Sequence, residues 1–215
     1  MADVIATRPS TGIVRPYREC LWACVFVSYA VSDANIAELL ADPPLVWRVV
    51  ESEDETSYLR ELSRGARTSL LGRIFGKAKP APKIRNLNFT QYELRLVDLD
   101  KSWDGLNACL KVCASGSPNF FEGAGQIGEV EVGYGPALFQ RSEAMNRIAE
   151  AYASVTEDQL LATYRSVDLK GVYPSGLWKR RDSDAESYLT ENFADLQAFV
   201  SYTREHKLGA VLQFT

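Results

Sequence analysis

The sequence predicts a layered α/β or α+β single domain, with a small mixed sheet and several helices. Three observations predict it. A run rich in valine and aromatics, LWACVFVSYAV, occupies residues 21–31, and a second hydrophobic run, AVLQF, follows Gly209. Between them, apolar residues recur at helical spacing behind residues that cap helices. Strands early and late with helices between make a layered architecture, and 215 residues suit one domain.

Residues 1–19 read as an N-terminal extension ahead of a domain that occupies 20–215. The 21–31 run admits two readings. Arg8, Arg15 and Arg18 precede it and Ser28-Tyr29-Ala30 offers small residues at signal-peptidase spacing. Glu19 at its border and its valine and aromatic content favour a buried first strand, and with it a cytoplasmic protein. Ser32 or Asp33 then caps a short helix, ANIAELLA, which ends at Asp42-Pro43-Pro44 because the residue before proline avoids the helical region. A second helix is predicted from Leu45 towards Leu62. In QYELRLVDLD, Tyr92, Leu94 and Leu96 alternate with Glu93 and Arg95, the period of a strand with the first set inward. Ser102 is the expected N-cap of a helix whose stripe is Trp103, Leu106, Leu110 and Cys113. A Gly-, Ser- and Pro-rich loop covers 115–128. Helices follow over 142–154 and behind a Thr156/Gln159 capping box. The last helix opens with a Ser183/Glu186 box, carries Tyr188, Leu189, Phe193, Leu196, Phe199 and Val200 on one face, and stops at Gly209 before the final strand.

Charge is divided unevenly. The net charge is −4, yet residues 59–86 hold eight Lys/Arg against Glu61 alone, or +7, which leaves 16 basic and 27 acidic residues, or −11, elsewhere. An acidic body argues against nucleic acid, whose phosphates need a basic face. The basic stretch at about 63–86 is punctuated by Gly65, Gly72, Gly76, Pro80 and Pro82, as a solvated, flexible insertion would be. Its Leu70, Leu71, Ile74 and Phe75 also allow peripheral contact with an anionic membrane. No apolar run reaches the ~18 residues of a transmembrane span.

The familiar chemical motifs each meet a simpler explanation. Cys20/Cys24 and Cys109/Cys113 suggest a four-thiolate zinc site, but an extended strand separates the first pair by ~13 Å, too far to share one ion. Reduced, buried thiols and no metal are expected. Gly123-x-Gly125-x-x-Gly128 has dinucleotide-loop spacing but leads into the strand-like Glu129-Val130-Glu131-Val132 instead of a helix, so no cofactor is expected. His206, the one histidine, stands at the end of the last helix, where it leaves histidine-dependent triads without a base. DLDKSWDGLN remains. Asp98 and Asp100 on one strand face, ~7 Å apart, could act as paired carboxylates, and they equally suit a strand end followed by a helix start.

Together, VDLDKSWDGLNACL, VGYGPALFQRSEAMNRIAEAY and GVYPSGLWKR resemble the YfbM-like family, a bacterial domain of uncharacterised function. The resemblance implies a compact α/β fold and carries over no catalytic residue. It departs from the family pattern at Asp104, where histidine is more usual, so no shared role transfers there. Asp98, Asp100, Lys101, Asp104, Tyr134, Tyr173 and Trp178 lie in or beside loops rich in glycine and proline and are the candidate binding residues. The favoured function is a non-enzymatic binding or regulatory protein of the immunity-protein kind, with a basic protein partner steered by the acidic body. The alternative is a small-molecule enzyme using Asp98, Asp100 or Asp104 with Lys101.

Overall fold

Alternating buried and half-buried residues make Phe26–Val31 a strand, β1, whereas all six residues of Gly209–Phe214, β5, are buried. Burial on both faces places β5 in the middle of the sheet. The computed structural model describes residues 24–51, 55–65 and 84–215. Its other strands are β2 (Leu96–Asp98), β3 (Gly125–Glu131) and β4 (Pro136–Gln140). The order is β2-β1-β5-β4-β3, with Phe26 opposite Phe214, Ser28 opposite Leu212 and Leu138 opposite Leu212. Every pairing is antiparallel, so the layered class stands but the sheet is not mixed. Parallel neighbours require a crossover that returns the chain to the same end of the sheet, and no adjacent pair here is joined that way.

The helices are α1 (Asp33–Ala41), a 3-10 turn (Pro43–Val46), α2 (Trp47–Val50), α3 (Thr56–Gly65), α4 (Trp103–Cys113), α5 (Ser142–Ala153), α6 (Glu157–Ser166), α7 (Ser175–Trp178) and α8 (Ser183–Glu205). They cover both faces of the sheet. On one, Phe26, Leu138, Leu212 and Phe214 meet Leu106 of α4, Ile148 of α5 and Leu189, Phe193 and Leu196 of α8. Phe26 is the hub, with edge-on contacts to Phe120, Phe121 and Phe214 at 5.7, 5.1 and 5.1 Å between ring centres. On the other face Val31, Ile127 and Val211 meet Ile36, Leu39, Leu45, Val49 and Tyr58 from the shorter helices. Among the described residues no helix is long and apolar enough to cross a membrane.

Capping residues set several helix starts as expected. Ser32 Oγ accepts from Asn35 N–H, and Thr156 and Gln159 form a reciprocal box. Three expectations need correction. The helix from Leu45 towards Leu62 is broken, because Val49 and Tyr58 both enter the same small core. On one continuous helix their nine-residue separation would set them roughly 180° apart, so the chain leaves the helix at Glu51 and starts again. The strand expected over 91–100 shrinks to Leu96–Asp98 with opposite parity. Val97 and Leu99 are buried, Tyr92 and Leu96 are 43% and 53% exposed, and Glu93 is only 8% exposed. Leu94, at φ 66°, breaks the alternation. Finally, α8 is capped by Asp182, whose carboxylate accepts from Ala185 N–H, while Glu186 forms a two-point pair with Arg165 at 2.7 Å. We predict that Asp182→Ala lowers the urea midpoint and that Ser183→Ala leaves it unchanged. A drop in the serine variant alone would return the cap to Ser183.

The expected extension at 1–19, Cys20 and residues 66–83 of the basic insertion lie outside the described residues. The insertion's C-terminal flank is anchored: Arg85 pairs with Glu38 and Asp42, and its N–H donates to Tyr58 Oη at 3.0 Å. Cys24 and Cys109 are buried, and burial foremost, with Cys113 nearby, pushes the Cys109 thiol up to about 12. His206 is more than a surface residue, since its ring stacks on Tyr92 at 4.2 Å and meets Tyr202 edge-on at 4.4 Å.

Candidate functional site

DLDKS folds as a tight turn between β2 and α4. Asp98 Oδ1 accepts from Asp100 N–H at 2.8 Å, and Asp100 takes φ 43°, a left-handed conformation that aspartate tolerates. Ser102 occupies the N-cap position without capping, and its buried hydroxyl donates back to Leu99 O at 2.7 Å. Asp98 and Asp100 are both exposed at the end of an edge strand.

One tyrosine fastens this turn to the last helix. Tyr188 Oη donates to Asp100 Oδ2 at 2.8 Å and accepts from Lys101 N–H at 3.1 Å. Burial first, then the Asp100 carboxylate, pushes the Tyr188 phenol well above its usual range, so it stays protonated and able to donate. Asp104 turns inward, and its Oδ2 accepts from Tyr173 N–H at 2.8 Å. Tyr173 is buried, which raises its phenol, as do Cys24, Asp100 and Tyr134 around it. Trp103 donates its indole N–H to Cys24 O at 3.2 Å and packs edge-on against Phe214 at 5.0 Å. Tyr134, 40% exposed, reaches the same region because its N–H donates to Phe214 O at 2.8 Å.

The structure therefore gathers Asp98, Asp100, Lys101, Asp104, Tyr134 and Tyr173 around one end of the sheet. Trp178 lies beneath them in the core. It is fully buried, its indole N–H donates to Tyr173 O at 2.7 Å, and its ring lies so close to α4 that a Cβ on Gly105 would come within 2.4 Å of it.

The family model described as "Domain of unknown function (DUF1877)" matches residues 23–213. The chain belongs to the DUF1877 family. A solved structure, of a protein of unknown function, YfbM from Escherichia coli, aligns at 12% identity over 89% of this chain and 99% of that one, with a TM-score of 0.49. No curated protein matches the sequence. Family membership agrees with the YfbM-like resemblance, and all the candidate residues fall inside the matched DUF1877 segment.

Within this DUF1877 domain the glycines at 123, 125 and 128 serve the sheet. Gly128, at φ 61°, sits where the β3/β4 register shifts, and a Cβ there would meet Pro43 at 2.5 Å. Among the described residues no group of three His, Cys, Asp or Glu is placed to hold a metal ion. A groove of about 220 Å³ lies at the other end of α4, lined by Asn107, Lys111, Ser117, Asn119, Glu122 and Tyr152, and none of the candidates reaches it. Tyr188, which organises the turn, was hidden in the sequence as one more apolar-stripe residue. The available signal was a tyrosine in a stripe otherwise filled by leucine, phenylalanine and valine, since a half-buried tyrosine usually seeks a partner for its hydroxyl.

Proposed function

We propose that this DUF1877 protein is a cytoplasmic binding or regulatory protein of the immunity-protein kind, which engages a basic protein partner through the acidic surface at the Asp98–Lys101 turn. The observation that carries this reading is the turn itself: two exposed carboxylates held by an Asx bond and by Tyr188 Oη, on a body with net charge −11 outside residues 59–86. A preorganised acidic turn loses little freedom on binding, and the surrounding charge accelerates encounter with a basic surface. The enzymatic alternative is weaker, because Asp104 is committed to a backbone N–H and Asp100 to a tyrosine hydroxyl.

The test joins stability to binding. Asp98→Asn and Asp100→Asn keep shape, and each should change the unfolding free energy by no more than ~0.5 kcal/mol, as surface substitutions do. Immobilised wild-type protein should retain a partner of high isoelectric point from native lysate and release it as salt is raised, and the double variant should release it at lower salt. Retention of the same partner to the same salt concentration by the double variant would sink the proposal.

A further inference from the structure

Among the described residues, every buried side-chain nitrogen or oxygen without a hydrogen-bond partner belongs to one turn: Trp47 Nε1, Arg48 Nε, Arg48 Nη2 and Glu51 Oε2. Buried polar groups are nearly always paired, so a concentration of orphans in a single turn calls for an explanation. Arg48 is 6% exposed, and its guanidinium is fixed on two sides. Nη1 donates to Glu55 Oε1 at 2.7 Å, and the Tyr58 ring lies beneath it at 4.5 Å. The edge left over, Nε with Nη2, is the two-pronged donor that matches two oxygens of one anion. Glu55 is 55% exposed, so the Nη1 side of the guanidinium lies near the protein surface, whereas the Nε–Nη2 edge is buried.

We infer that the Trp47–Glu51 turn is a binding site for a phosphate-type oxyanion, gripped by the Nε–Nη2 edge of Arg48 with the Trp47 indole N–H as a third donor. The orphan set comprises three donors and one acceptor. Inorganic phosphate or a phosphomonoester with one acidic proton supplies acceptors for the donors and a donor for Glu51, whereas a simple carboxylate supplies acceptors alone. The site belongs to the short-helix layer and does not depend on the Asp98–Lys101 turn or on the function proposed for it.

The full-length protein is titrated with inorganic phosphate at constant ionic strength against chloride, while the Trp47 indole N–H resonance and the melting temperature are followed. The resonance should shift saturably and the melting temperature should rise by about 2–4 °C near saturation. Sodium acetate should produce a smaller effect on both. Arg48→Lys keeps the charge but loses the two-pronged edge, and should lose both responses. Should that variant fail to fold, Trp47→Phe keeps an aromatic ring and removes the N–H donor, and calorimetry should then show phosphate binding roughly tenfold weaker. Phenyl phosphate in a parallel titration identifies the source: tighter binding than inorganic phosphate assigns the site to a phosphomonoester, and weaker binding assigns it to the free ion. A wild-type protein indifferent to both phosphates overturns the inference, as does an unchanged response in Arg48→Lys or unchanged affinity in Trp47→Phe.

Discussion

Trp178→Ala is expected to cost about 3–5 kcal/mol in a urea melt, the range for deleting a fully buried large aromatic. The ring is 0% exposed, its N–H holds the carbonyl of Tyr173, and it packs beside Tyr164 and Tyr188 at 6.0 and 6.2 Å. Its removal leaves a cavity and an unpaired carbonyl together, and Gly105 of α4, which faces the ring without a side chain, has nothing to fill the space. Tyr173 and Asp104 would loosen as well, since the Tyr173 backbone is held from both sides. Trp103→Ala should cost clearly less, because Trp103 is only half-buried. Equal losses in the two variants would show that Trp178 has no special place in the core.

Glu93→Ala is expected to cost about 2–3 kcal/mol, through donors left unpaired in a buried setting. The Glu93 carboxylate accepts from Ser32 N–H at 2.7 Å, Asn35 Nδ2 at 2.8 Å and Thr90 N–H at 2.8 Å, so it joins the start of α1 to the segment before β2. Burial alone would raise its pKa. The hydrogen bonds from Thr90, Ser32 and Asn35 outweigh burial and hold it below the usual value of 4.5. The sign of the pH effect follows: as pH falls, the unfolded chain takes up this proton first. The contribution is therefore complete above about pH 4.5 and disappears as pH drops through the depressed folded value. Urea midpoints between about pH 3 and 6 should fall more steeply for wild type than for Glu93→Gln. Parallel profiles would show that the carboxylate carries no such linkage.

Glu93 also shows where sequence reasoning reached its limit. Alternation in QYELRLVDLD was visible, but period two has two phases, and the pattern alone does not say which one faces inward. Leu96 faces out and Glu93 in, where its carboxylate accepts from the N–H groups of Ser32 and Thr90. Where a stripe was long, as in α8, its phase could not slip, and Leu189, Phe193, Leu196, Phe199 and Val200 are all buried. The first and last strands in sequence, β1 and β5, were legible because both are dense in apolar residues. The candidate site was legible as a neighbourhood, since glycine and proline mark its loops. Trp178 was misplaced among the candidates because an aromatic beside Pro174 and Gly176 reads as a loop residue, and only the third dimension reveals the space at Gly105 that receives it.

The position of β5 carries a consequence for how the protein is made. β5 comes last of the five strands in sequence, yet it lies between β1 and β4 and bonds to both. Without β5, β1 with β2 and β4 with β3 can form only two separate ribbons, each with a bare hydrogen-bonding edge. Pairing β1 with β5 closes a loop of nearly the whole chain, which makes sheet assembly slow and late. Nascent chains stalled before Gly209 therefore expose two unpaired edges and the ring of Phe26, the species that chaperones bind and aggregates recruit.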